Sequence, residues 1–450
     1  MKTKVKQLSA TAGYYMPAFF DMFIDTDKPV ESFNLMSFDE NERSVFFHEY
    51  IHFLQDFMTV CGCNNIYCIN ERFRLVALDY ATQKPFYVPV EIKDNKGNVY
   101  LNNFLNILAW GGNESFDSFV INRISINPYI DDEMQSANLN PFQCVELDTD
   151  KGLLDFGKRE IMESMAYMLQ KKCTIMTYLS PEYPYDSAEK LAKHICHTGF
   201  ETKSENIIAL CDIALMSSNP GYTFVNYLQR IESGDLKVNR AEDVYDDFYS
   251  QKGICDGKVM LPLNHFELLS DVAKAALKSY IDIAEIKVQL DAWVDLVMDT
   301  GLKARLSDPY YFLNLARAGY LMTNAYFIKM LTAVGSPLMH NKKHQYGRQK
   351  SNPDYGDVFQ YLTAVSAIDN IFDGAFTCSL IHFCKQSKGK TNINVNRHCI
   401  CSPWKRCKDA QLCPVAVIIK HRKLAVNKPQ IKPGFRLKSI LKSIFVLFSC

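Results

Sequence analysis

The stretch "SFDENERSVFFHEYIHFLQDF", residues 37–57, decides how this chain is read. Ser37 is followed three residues later by Glu40, the spacing of a capping box, in which a hydroxyl and a carboxylate each satisfy a backbone N–H at a helix start. The helix expected from this start runs to about Val60 and stops at Gly62. Inside it Val45, His48, His52 and Gln55 recur at intervals of three and four, so both imidazoles project from one face. Glu49 directly follows the first of them.

Residues 48–52, "HEYIH", have the make-up of a metal site. Zinc takes neutral imidazole nitrogens, and an i, i+4 pair brings two of them to one ion without distorting the helix. A carboxylate beside the first ligand has the offset to reach a water on the ion rather than the ion itself, which makes Glu49 the candidate general base. Chance placement of ten histidines in 450 residues yields the pattern in roughly one such chain in a hundred. His48 and His52 are therefore read as ligands of Zn2+.

"HEYIH" on a capped helix, with a glutamate on a later helix, resembles the gluzincin group of zinc metallopeptidases. The longer metzincin pattern asks for Gly and His three and six residues after the second His, where this chain has Gln55 and Met58. Two glutamates compete to be the third ligand. Glu71, in "INERF", follows His52 after eighteen intervening residues, a spacing like that of aminopeptidase-type gluzincins, and Arg72 and Arg74 offer it an ordinary ion pair. Glu163, in "REIMESMAYM", has Ala166 three residues on, similar to the Glu-x-x-Ala of that group's ligand helix. Ile161, Met162, Met165, Ala166 and Met168 embed Glu163 in apolar surface, where a carboxylate needs a partner such as a metal. Glu163 is preferred, at a distance of 110 intervening residues from His52, with Glu71 as the alternative and Glu160 behind it. The resemblance spans roughly residues 37–170. It implies a zincin-like lobe, a strand-edged cleft for an extended peptide, and hydrolysis of peptide bonds. Tyr167, one turn after Glu163, is either an oxyanion holder or a packing residue.

Outward from this segment, residues 12–36 are aromatic and punctuated by prolines, which suits short strands and turns. Residues 65–80 read as helix. "FYVPVEIKDNKGNVYLNNF" then reads as two strands about an Asp-Asn-Lys-Gly turn, with Pro89 marking an edge. "CVELDTDKGLLDFG" gives a second strand signal and feeds the helix "KREIMESMAYMLQKK". Beyond residue 187 the pattern is helical. A stripe from Ala276 to Val297 is stopped by Gly301, and a further helix opens at "SDPYYF" and closes at Gly335. Polar stretches at 341–356 and 386–396 read as a loop and a linker. The expected fold class is α+β and predominantly helical: a zincin-like lobe with a small edge-stranded sheet at 1–187, a helical domain at 188–390 and a Cys-rich basic segment at 391–450.

Composition frames this reading. With 48% hydrophobic residues the chain can fill more than one core. Residues 391–450 hold twelve Lys and Arg against a single acid, Asp409, so a net charge of zero hides an acidic body and a basic tail. Residues 437–447 put Leu437, Ile440, Leu441, Ile444 and Leu447 on one face, suited to an anionic membrane surface or a partner protein. Nucleic acid is not expected, because the basic cluster is short. Fifteen scattered cysteines and no apolar leader point to a reducing, cytoplasmic setting. Cys399, Cys401, Cys407 and Cys413, beside His398, supply enough soft ligands for a structural zinc or an iron–sulfur cluster, or they are free thiols. The function expected is a zinc peptidase acting on a peptide or protein substrate. Its rivals are an interaction protein with a structural zinc and a zinc hydrolase of a non-peptide substrate.

Overall fold

A computed structural model describes residues 8–9, 12–30, 34–82, 85–90, 98–176, 180–255, 258–351, 353–375, 377–386, 394–408, 413–422, 424 and 429–431. β1 (Leu8–Ser9), β2 (Gly13–Met16) and β3 (Asp21–Ile24) form an antiparallel meander. β3 then pairs in parallel with Leu338–Asn341, which pairs antiparallel with Tyr346–Gly347, closing a five-stranded sheet. Strand alternation sends Tyr15, Met22 and Met339 into the core. It puts Tyr14, Phe23, His340 and Tyr346 in register across the opposite face.

The sheet lies on helix α1 (Glu40–Met58), and its anchor is Asp56. That buried carboxylate accepts the Tyr15 hydroxyl and the Ala18 N–H, both at 2.8 Å. The grip holds a turn in which Ala18 and Phe20 take left-handed φ of 64° and 55°, a conformation a non-glycine residue adopts only when its surroundings impose it. α1 begins two residues later than its sequence suggests. Asp39 and Glu42, not Ser37 and Glu40, make the capping box, with reciprocal N–H···O bonds of 2.9 and 2.8 Å. Two carboxylates in the first turn also complement the positive end of the helix dipole, which a serine cannot do.

Of the three glycines expected to stop helices, Gly335 does follow one, Ala325–Val334, but Gly62 and Gly301 lie inside helices. α1 ends at Met58, and α2 (Val60–Thr82) runs through Gly62. A Cβ there would come within 2.1 Å of the Gln55 carbonyl. Gly301 is interior to Ala284–Ser307, where a Cβ would meet the Phe57 ring at 2.4 Å. Close approach of a neighbour, rather than termination, explains both. The expected stripe from Ala276 onward is correspondingly two helices, Pro262–Ser279 and Ala284–Ser307. The second strand expected near residue 100 is a helix, Asn98–Leu108, because Leu101 and Phe104 are buried three residues apart. Tyr87–Val88 is a short strand, as expected, paired with Gln430–Ile431. The hairpin Phe142–Thr149/Gly152–Phe156 leads into the helix Lys158–Cys173, with an unanticipated outer strand, Ile121–Tyr129.

The molecule is predominantly helical with small sheets. Contacts cross the boundaries expected near residues 187 and 390. Leu338–Asn341 sits beside β3, and Arg72 on α2 pairs with Asp369 and Asp373 at 2.7 and 2.9 Å. Val415 and Ile418 share a continuous hydrophobic core with Phe46 and Leu54 of α1. Residues 432–450, which include the expected amphipathic tail, lie outside the described residues. Among those described, no helix is long and apolar enough to cross a membrane.

A buried ion pair ties the helical half together. Arg305 grips Asp212 through two bonds of 2.9 and 3.0 Å, both side chains fully buried, with the Tyr245 hydroxyl adding a third to the carboxylate at 2.9 Å. Arg305→Ala would strand the Asp212 charge in the core. Unfolding in denaturant should show a loss of about 3–5 kcal/mol. A loss below about 1 kcal/mol would mean that solvent reaches the pair.

Candidate metal centre

Heptad-like spacing on α1 brings His48 and His52 to one face, and that face meets the helix Lys158–Cys173. Glu163 Oε2 lies 3.1 Å from His48 Nε2 and 3.4 Å from His52 Nε2, and the two imidazole nitrogens are 3.1 Å apart. Among the described residues, these three alone form a group of three or more His, Cys, Asp or Glu ligand atoms gathered tightly enough to hold a metal ion. All are buried.

Hydrogen bonds around the group decide its protonation. His48 Nδ1 meets Gln170 Oε1 at 3.1 Å, and His52 Nδ1 meets Gln55 Oε1 at 2.8 Å. The amide orientations are set independently: Gln170 Nε2 donates to the Ser44 carbonyl at 3.0 Å and Gln55 Nε2 to the Met162 carbonyl at 3.2 Å. An amide oxygen only accepts, so each Nδ1 carries the proton and each Nε2 presents a lone pair. Two lone pairs and a carboxylate oxygen thus converge within hydrogen-bond distance of one another. Such an arrangement repels itself unless a cation lies between, and the donor set of two imidazoles and a carboxylate suits zinc. Burial lowers the pKa of His48, which keeps it a neutral ligand at pH 7. Burial opposes a charge on Glu163, and only positive charge at the His52 and His48 nitrogens, the place a bound cation would take, holds its carboxyl below the usual range.

Glu49 shares α1 with the histidines and is 1% exposed. Its Oε2 has no hydrogen-bond partner, although burial, with the charge of Glu163 added, makes an unpaired carboxylate costly there. β2 passes close by: a Cβ on Gly13 would come within 2.6 Å of Val45 Cγ1 and 3.0 Å of Glu49 Oε1. Tyr185 packs beside His48, ring centres 5.6 Å apart, and separates it from Tyr167. Tyr167 itself lies beneath the Lys171 ammonium, 4.5 Å from the ring centre.

The other candidates are elsewhere. Glu71 pairs with Arg74 at 2.6 Å on α2, and Arg72, expected beside it, turns to Asp369 and Asp373 instead. Glu160 caps its own helix by accepting the Gly157 N–H at 2.9 Å and pairs with Arg159 at 3.1 Å. Cys399 and Cys413 are buried, whereas Cys401 is exposed and donates to the Arg397 carbonyl at 3.3 Å. The Cys407 side chain lies outside the described residues. Gln170 was not singled out by the sequence; only its place seven residues, two helical turns, beyond Glu163 hints at the shared face.

No protein-family model matches the chain, and no curated protein or solved structure is significantly similar to it.

Gln170→Leu removes the acceptor that orients His48 while keeping the packing volume. Zinc affinity, measured by competition with a chromogenic chelator, should fall about 10–100-fold with the fold intact. An unchanged affinity would show that α1 alone orients the imidazole.

Proposed function

We propose that the chain is a zinc-dependent peptidase of zincin-like build, with His48, His52 and Glu163 as the ligands and Glu49 as the general base. The convergence of two unprotonated imidazole nitrogens on a carboxylate oxygen carries this reading. When bound, zinc would act as a Lewis acid and lower the pKa of water towards 7. The remaining work belongs to the protein. Gln170 and Gln55 keep both imidazoles in the ligating tautomer. Glu49, with an unpaired Oε2, accepts a proton from the attacking water and returns it to the leaving amine. β2 lies against α1 at Gly13, beside the base, and is paired on both sides by β1 and β3.

The rival reading, a purely structural zinc, draws on one observation: His48, Glu49, His52 and Glu163 are all at most 3% exposed. Substrate therefore reaches the site only when its cover, Tyr185 included, moves. A structural site, however, gives no use to a buried Glu49 whose Oε2 has no partner, which an apolar residue would replace at no electrostatic cost. A zinc hydrolase of a non-peptide substrate would use the same residues.

Metal analysis and a peptide-library digest of the purified full-length chain test the proposal together. The expected result is one tightly held zinc at the histidine site and cleavage that a chelator abolishes and zinc restores. Protein that binds no zinc there refutes the metal site. Zinc without cleavage of any peptide supports the structural or non-peptide reading.

A further inference from the structure

Away from the metal centre, two histidines meet face to face. The hairpin Leu338–Asn341/Tyr346–Gly347 turns through residues 342–345, and Asn341 shapes the turn. Its side-chain oxygen accepts the N–H groups of Lys343 and Gln345 at 3.0 and 2.9 Å, and its carbonyl accepts that of His344 at 2.8 Å. His344 is held there at a left-handed φ of 55°, which a residue with a side chain adopts only under constraint. Its imidazole lies flat on that of His382, ring centres 3.6 Å apart and planes 12° from parallel.

His382 belongs to the helix Ile381–Gln386, whose six residues are too few to be stable alone. Three of its side chains dock it on the hairpin. His382 stacks on His344, and Phe383 meets the Tyr346 ring edge-on at 5.2 Å. The Gln386 amide accepts the Tyr346 N–H at 2.8 Å and donates to the Tyr346 carbonyl at 3.3 Å, as a neighbouring strand would.

Contact of this kind suits two neutral rings, because a proton on each would set like charges 3.6 Å apart. Lys385 on the same helix and His340 on the strand before the turn add to the positive side. The acids that meet the hairpin are engaged elsewhere. Lys342 pairs with Asp25 and Asp27 at 3.2 and 3.6 Å, and Lys343 with Asp27 at 3.7 Å. Asp21 faces His340, 3.5 Å from Nε2, where the Tyr14 hydroxyl also lies at 3.2 Å. Tyr346 and Cys384 are neutral at pH 7, since burial raises the pKa of both. Burial, then His340 and Lys385, lowers the pKa of His344, and burial, then His344, Lys385 and His340, pushes that of His382 down to about 4. In a released helix both imidazoles would titrate near about 6.5. The docked, neutral pair therefore contributes its full stability above about pH 6.5 and loses it as pH falls towards about 4.

We propose that the His344–His382 stack is an acid-sensitive latch: neutral, it holds Ile381–Gln386 on the hairpin, and protonation frees the helix. The freed stretch is where the chain enters its basic C-terminal segment.

Hydrogen exchange of the full-length chain at pH 7 and pH 5, corrected for intrinsic rates, tests this. His382 alone should raise the open population at least about tenfold between these values. Peptides covering 377–386 and 338–347 should lose protection by that factor, while Ala284–Ser307 keeps its own. The double variant His344→Phe with His382→Phe keeps two flat rings but no titratable nitrogen, and its protection should be the same at both pH values. It leaves the proposed zinc ligands in place, so loosening caused by acid loss of zinc would persist in it and overturn the latch. Unchanged protection of the wild-type peptides at pH 5 overturns it as well. If the double variant misfolds, proton NMR titration of the wild-type imidazoles decides, with His382→Gln identifying the signal. A midpoint for His382 more than about one pH unit below 6.5 supports the latch, and one closer to 6.5 overturns it.

Discussion

Glu163→Ala should purify with little zinc at the histidine site, whereas Glu71→Ala should match the wild-type chain. A zinc site of four ligands binds with about 10–16 kcal/mol, so one protein ligand is worth about 3 kcal/mol, or about two orders of magnitude in affinity. Glu163 Oε2 touches both Nε2 atoms, so its removal leaves two imidazoles and a void. Glu71 pairs with an Arg74 side chain that is more than half exposed, an interaction worth under about 1 kcal/mol. Glu163→Asp sharpens the test, since it keeps the charge but withdraws the oxygen by one methylene. Its affinity should fall between those of the alanine variant and the wild type. Competition titration against a chelator of known strength reads all three. Full zinc binding by Glu163→Ala would remove this residue from the site, and loss in Glu71→Ala would put the ligand on α2.

The second large effect is on turnover. Glu49→Gln keeps shape and volume but replaces the proton-accepting oxygen with an amide. Turnover should fall by at least about a hundredfold, the scale of general acid–base catalysis, while zinc content stays at the wild-type level. Thermal stability should hold or rise, because the variant no longer buries a carboxylate whose Oε2 has no partner. These two readings separate a catalytic glutamate from a structural one. If zinc is lost, Glu49 supports the site rather than the reaction, and if turnover persists the proton is carried by another group. Peptide cleavage followed by mass spectrometry, with zinc measured on the same samples, decides between them.

How much of this was legible beforehand depends on the range of the interaction involved. The i, i+4 histidines needed only the helical repeat, and Glu163 was marked by an apolar neighbourhood that the sequence displays. Caps and stops were less legible. Asp39 and Ser37 both suit a helix start, and the contest was settled by the carboxylates of Asp39 and Glu42, with Lys28 adding a 2.5 Å bond from another segment. Gly62 and Gly301 look like terminators in one dimension. They are contact points in three, because the Gln55 carbonyl and the Phe57 ring come too near for any side chain.

By itself, then, the sequence determined a mostly helical chain and a helix that presents two imidazoles and a carboxylate on neighbouring positions, since both follow from periodicity within one segment. Tertiary structure alone decided the rest. It set Leu338–Asn341 beside β3 across more than three hundred residues, and it aimed the Gln170 amide at His48 from another helix. Each of these depends on where the chain returns after a long excursion. That path is chosen by the packing of the whole core and leaves no local periodicity to read.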